Sequence, residues 1–267
     1  MNEDWIEIEQ FARKLLFEAA GNIKTSLYDS ITINTKSNEN DLVTNKDEEI
    51  EKFFYKEIKS KYPNHFLLGE EGKGDELNKV NGIVWILDPI DGTMNFVHQK
   101  RNFAISLGIY ENGIGKMGFI FDVIHNELYF AKKGEGAFLN DKKIEPLKEV
   151  VLEEAIIAIN AIWLTKNRYL NHEKLGSLVR KIRGSRSYGS AAIEMVYVAT
   201  GRIDAYITPR LSPWDFAAGK IIVEELGGLC TTLTNEELSI LNKSSVLVSN
   251  SSIQKELLTN YIEFFPK

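Results

Sequence analysis

The chain has 267 residues, of which 43% are hydrophobic, 26% charged and 10% aromatic, a composition that buries a core and excludes disordered, collagen-like and membrane-spanning classes. Its formal charge of -6 excludes the broad basic surface that non-specific nucleic-acid or anionic-membrane binding needs. A phosphate ligand would therefore need local help from metal ions.

The chain begins Met1-Asn2-Glu3-Asp4, acidic where a secretory signal would be basic, and no apolar run approaches the roughly 18 residues of a membrane span. The single cysteine, Cys230, forms no intrachain disulfide, and the four His residues lack structural-zinc spacing. A cytoplasmic location is expected, with no membrane and no nucleic-acid partner. Trp5, Ile8, Phe11, Ala12, Leu15, Leu16 and Ala19 recur at helical spacing, as do Ile50, Phe53, Phe54 and Ile58 behind the polar start Thr44-Asn45. Between these two helices, Thr32 to Asp41 is polar and reads as a surface loop or flap.

From Phe66 short β-prone runs follow: Phe66 to Leu68, Ile83 to Leu87, Phe103 to Tyr110, Gly118 to Val123 and Leu128 to Phe130. They predict a largely antiparallel sheet. Beyond about Lys148 the strand Ile156 to Ile159, helix Ala191 to Thr200, strand Ala205 to Thr208, helix Phe216 to Leu226 and strand Val246 to Val248 alternate in α/β fashion. Two halves are expected, an α+β half over 1–147 and an α/β half over 148–267, forming one unit of sheets sandwiched between helix layers.

The chemistry gathers after the buried run Val84 to Leu87, where Asp88-Pro89-Ile90-Asp91-Gly92-Thr93 brings two carboxylates off one sheet edge. Pro89 biases Asp88 to an extended conformation and Gly92 permits a tight bend. Converging hard oxygens suit Mg²⁺, and amides at a following helix start suit phosphate. Taken alone, this run reads more readily as an Asp-rich turn. The same holds for Gly69-Glu70-Glu71-Gly72 as a solvated turn, for Asp215 after Trp214 as a helix N-cap, and for Asp41 to Asp47 as an acidic helix start.

Together, Asp41 to Asp47, Gly69-Glu70-Glu71, Asp88 to Thr93 with Asn95 to His98, and Trp214-Asp215 with Ala217 to Gly219 and Glu224 to Gly228 resemble the inositol monophosphatase family, all motifs in order. The resemblance implies a layered αβαβα sandwich of the sugar-phosphatase type and Mg²⁺-dependent hydrolysis of a small phosphate monoester, of inositol-1-phosphatase type. It implies two or three Mg²⁺: one held by Glu70, Asp88 and the Ile90 carbonyl, a second by Asp88, Asp91 and Asp215, and a weaker third near Glu70. Asp47, Thr93 and Glu70 would be the catalytic set, with Thr93 and Asp47 orienting and deprotonating the attacking water. Asp91 and the amides of Gly92 and Thr93 would hold the phosphate side. A homodimer and inhibition by Li⁺ are implied as well.

Substrate contacts would come from Gly189-Ser190-Ala191, which resembles the family's Gly-Thr-Ala element. The position six residues before Trp214, acidic in inositol-specific animal members, is Thr208, and Arg210 beside it adds a cation. With Arg180, Lys181, Arg183 and Arg186, that cation leaves open NADP⁺ or fructose 1,6-bisphosphate as substrates, or a solvated basic helix end. A non-catalytic metal- and phosphate-binding regulator is the remaining alternative. Met94 carries no functional reading.

Overall fold

A computed structural model describes residues 4–27, 33–35, 42–77 and 79–265. Helix α1 (Trp5–Ser26) starts where Asp4 Oδ1 accepts the amides of Ile6 and Glu7 at 3.0 and 3.1 Å, a cap worth about 1 kcal/mol. Its stripe Ile8, Phe11, Ala12, Leu15, Leu16, Ala19 and Ile23 is buried. Within the stretch expected as a loop, Ile33–Thr35 departs from that reading: as β1 it pairs antiparallel with β2 (Leu42–Thr44), which follows the stretch. β-branched residues in both segments favour that ribbon. The remainder of Thr32 to Asp41, including Asp41, lies outside the described residues. Helix α2 (Asn45–Lys61) begins at a capping box between Thr44 and Asp47.

The first sheet holds β3 (Phe66–Gly69) and β4 (Ile83–Asp91), then, after helix α3 (Thr93–Gln99), β5 (Ala104–Glu111), β6 (Ile114–Asp122), β7 (Glu127–Lys132), β8 (Gly136–Leu139) and β9 (Lys142–Lys143) in spatial order. The first pair is parallel and the others are antiparallel. Strand β4 does not stop at Leu87 as expected. Asp88 still faces Ser106, and Asp91 faces Ala104 after a register shift, so one extra residue bulges out of the ladder where the two acids sit.

The second sheet contains β10 (Ile156–Ile159), then, after helix α4 (His172–Lys181), β11 (Gly184–Arg186); helix α5 (Ala191–Ala199) leads to β12 (Ala205–Leu211), and helix α6 (Pro213–Glu225) to β13 (Leu229–Thr231), β14 (Ser244–Ser249) and helix α7 (Ser251–Glu256). Its spatial order is β11-β10-β12-β14-β13. Helix α6 starts three residues before the expected Phe216. Ser212 caps it, Pro213 occupies the first turn, and Asp215 stands at the third helical position rather than at the cap.

Strand alternation sorts the core into three slabs. Trp85, Leu87, Ile105, Leu107 and Phe119 face α1 and α2, while Val84, Ile86, Tyr110 and Ile120 face α5 and α6 together with Tyr206, Val246 and Val248 of the second sheet. Ile157, Ile207 and Leu247 face outward to Leu175 and Leu178 of α4 and Ile253 of α7. The order is thus helices, sheet, helices, sheet, helices, as the sequence implies. No helix among the described residues is long and apolar enough to cross a membrane.

Candidate active site

At the C-terminal end of β4 the chain opens onto a cavity of about 340 Å³. Its lining brings together Glu70, Asp88, Ile90, Asp91, Gly92, Thr93, Gly189, Ser190, Ala191, Thr208 and Asp215, residues 145 positions apart between the first and the last. Asp47 lies behind Thr93, its Oδ1 accepting the Thr93 hydroxyl at 3.3 Å. Arg210 is exposed and outside this lining.

Each acid is set by its element. Glu70 follows the last residue of β3. Asp88 stays in the bulged strand, and its Oδ1 accepts the Ile90 amide at 3.0 Å. Asp91 Oδ2 accepts the Ser190 hydroxyl and, at 2.7 Å, the Ala192 amide, tying it to the start of α5. Asp215 Oδ2 accepts the Ser212 amide at 2.8 Å across the first turn of α6. Gly92 caps α3 at φ 94°, and a Cβ there would lie 3.1 Å from the Ser190 Cβ and 3.2 Å from the Asn102 carbonyl. Three helix starts, those of α3, α5 and α6, therefore place residues in the cavity lining, and the start of α2 stands behind them through Asp47.

Glu70, Asp88 and Asp215 each place an oxygen within 4.8 Å of the others. Burial, and next the charges of Glu70, Asp91 and Asp215, hold the Asp88 carboxyl well above its ordinary range. Asp215 is raised the same way, first by burial and then by Asp91 and Glu70. Burial also pushes Asp91 up to about 6, against the opposing bonds from Ser190 and Ala192. Taking a carboxylate out of water costs several kcal/mol, and an amide bond to it returns about 1.5–3 kcal/mol. Asp88 is 2% exposed, so the one amide it receives falls short while three acids crowd it. A hard divalent cation is the partner that lets this all-oxygen set ionise together, and the residues present fit one.

Beside the acids, the Thr93 hydroxyl has one proton and two acceptors, Asp47 Oδ1 and the Ile90 carbonyl at 3.1 Å. Burial pushes Asp47 up to about 6, with the Thr44 hydroxyl and amide acting in the opposite direction.

The cavity wall also contains residues that no motif marked: Asn160, Trp163, Ser187, Glu194, Tyr206 and Leu211, with Met94. Trp163 is braced edge-on by Tyr169 at 5.9 Å and comes from a 3-10 turn that has no periodicity to read. Glu194 was detectable as the lone acid in the otherwise uncharged helix Ala191–Ala199. It is 4% exposed, accepts the Tyr188 amide at 2.6 Å, and is pushed up to about 7 by burial. Of the basic cluster, Arg180 and Lys181 end α4, Lys181 pairs with Glu153 and Arg183 with Glu154, while Arg186 ends β11 one residue before the lining residue Ser187. No Lys, Arg or His is among the described lining residues. His65 is a core residue, accepting the Trp85 indole N–H at 3.1 Å.

Comparison with known proteins finds that a model described as the inositol monophosphatase family matches residues 4–266. Inositol-1-monophosphatase of Bacillus subtilis (strain 168) is 56% identical over 259 residues, covering 97% of this chain and 98% of that protein. The crystal structure of inositol monophosphatase II from Staphylococcus aureus MSSA476 is 44% identical with a TM-score of 0.88, covering 97% of this chain and 96% of that one. An IMPase/NADP phosphatase complexed with Mg²⁺ and phosphate is 30% identical with a TM-score of 0.88, covering 96% of this chain and 98% of that one.

Proposed function

The chain belongs to the inositol monophosphatase family, and on that premise we propose that it hydrolyses the monophosphate of a small neutral polyol, of the inositol 1-phosphate type, with Mg²⁺ as its metal. Membership makes it a metal-dependent phosphoric monoester hydrolase. The observation that carries the substrate reading is the cavity itself: acids on the floor, and no Lys, Arg or His among the described lining residues to receive a second phosphate.

Glu70, Asp88 and the Ile90 carbonyl would hold one ion and Asp88, Asp91 and Asp215 a second, with a third, weaker ion near Glu70. Bound there, Mg²⁺ would neutralise the acids, acidify water and offset charge on the transferred phosphoryl group. The amides of Gly92 and Thr93 orient the phosphate for in-line attack. Thr93 accepts a hydrogen bond from the attacking water and relays the proton to Asp47, whose raised affinity for protons suits a base near neutral pH. Gly189, Ser190, Ala191 and Thr208 face the alcohol portion.

A second reading has one observation in its favour: Met94, Trp163 and Leu211 give the wall an apolar patch on which a nucleobase could stack, as in NADP⁺ or another nucleotide bearing a 2′-phosphate. Fructose 1,6-bisphosphate would meet no cation among the described lining residues, and Arg210, the cation offered for a second phosphate or an adenine, stands outside that lining. Cytoplasmic location, a homodimer and inhibition by Li⁺ complete the proposal, resting on family resemblance. A phosphate-release screen over inositol 1-phosphate, NADP⁺ and fructose 1,6-bisphosphate tests it. Release that requires Mg²⁺ and prefers the monophosphate is expected; release undiminished by chelator, or a preference for the bisphosphate, overturns it.

A further inference from the structure

Helix α2 carries a second acid one turn beyond Asp47, on the same face. Glu51 is 0% exposed and does not line the cavity. Its Oε2 accepts the Glu71 amide at 2.7 Å and its Oε1 the Lys73 amide at 2.6 Å. A Cβ on Gly69 would lie 2.3 Å from the Glu51 carboxyl carbon and 2.5 and 2.6 Å from its oxygens. The segment from Gly69 to Lys73 thus wraps around one carboxylate, and Glu70 sits within the wrap.

The base of the loop is closed separately. Asp75 donates its amide to the Leu67 carbonyl at 2.6 Å, accepts the Leu67 amide at 2.9 Å, and pairs with Lys59 at 2.9 Å. Closing the base fixes where the loop starts and ends; Glu51 fixes the path between. Burying the carboxylate costs several kcal/mol, and the two amides offset part of that while they point at it, so loop path and carboxylate position are coupled.

We propose that Glu51 is a positioning residue that aims Glu70 into the group it forms with Asp88 and Asp215, and so sets the affinity of that group for Mg²⁺. The inference rests on the reading of Glu70 as a metal ligand. Glu51→Gln would set an amide NH₂ against a backbone N–H and turn the loop. Gly69→Ala would displace the same carboxylate from the opposite side.

Calorimetric titration of the full chain with Mg²⁺, beside thermal denaturation with and without Mg²⁺, tests it. Both variants are expected to bind Mg²⁺ about 10- to 100-fold more weakly, with Glu51→Asp intermediate. At saturating Mg²⁺ the substrate KM should stay within about twofold of the original, because Glu51 is outside the cavity. Folded variants that bind Mg²⁺ as the original chain does, even with a lowered Tm, overturn the inference and leave Glu51 a purely structural acid. Should Glu51→Gln and Gly69→Ala fail to fold, Glu51→Asp decides by the same criterion. Absence of Mg²⁺ binding in the original chain would instead defeat the metal-site reading itself.

Discussion

The floor of the cavity and its wall are built on opposite principles. On the floor, Asp88, Asp91 and Asp215 are each tied to a backbone amide, and Asp91 to the Ser190 hydroxyl as well. The wall, from Asn160 and Trp163 to Ser187, Thr208 and Leu211, is built mostly of uncharged side chains, with Glu194 its one acid among the described residues. On the proposed reading, reaction type would reside where charge is costly and geometry is over-determined, and selectivity where side chains can be exchanged at little cost to the fold.

The strongest way to break the contrast is on the floor. Asp88→Asn should lower Mg²⁺-dependent phosphate release by about 10³-fold or more while the chain stays folded, as circular dichroism beside a phosphate assay will reveal. Thr93→Ala should reduce kcat by about 10²-fold with Mg²⁺ binding nearly unchanged, since the hydroxyl contacts Asp47 and the Ile90 carbonyl; an equal loss of metal affinity would contradict the separation of roles. On the wall the effect should be smaller and selective. Trp163→Ala is expected to raise KM for a nucleotide 2′-phosphate about tenfold, the value of one base stack, and to leave inositol 1-phosphate nearly unaffected. A parallel loss for both would make Trp163 part of the floor.

The mildest probe is pH without metal. Burial raises Asp47 and Asp91 to about 6, Glu194 to about 7, and Asp88 and Asp215 well upward. The folded chain therefore holds more protons than the unfolded one above the ordinary carboxylate range, and stability falls as pH rises through that range to about 7. Glu127, lowered by its bond to Arg202, has the opposite sign but acts below its ordinary value. In EDTA the Tm should drop by a few degrees between about pH 5 and 8, and Mg²⁺ should restore it by displacing protons. A Tm independent of pH in EDTA would refute the electrostatic account.

Much of the fold was legible because apolar periodicity reports directly on burial, as in α1, whose stripe from Ile8 to Ala19 is buried as spaced. Strands β8, β9, β11 and β13 and helix α7 were missed, being short or strongly polar, and of α4 only the basic end was legible. The floor acids stood out because short motifs crowd them. The wall did not, since Asn160, Trp163 and Leu211 meet only through tertiary packing. Glu51 lay in plain view as a charged residue among the buried positions Ile50, Phe54 and Ile58; reading α2 for its apolar face alone passed over it.

The helix starts around the cavity have a consequence for durability. With no lysine or arginine among the described lining residues, peptide groups are what the protein itself would offer a phosphate beside the metal on the proposed reading. Such charge has no pKa in the working range, is not removed by acetylation, and cannot be deleted by exchanging one side chain. Drift in sequence should alter what the cavity prefers long before it removes those backbone donors.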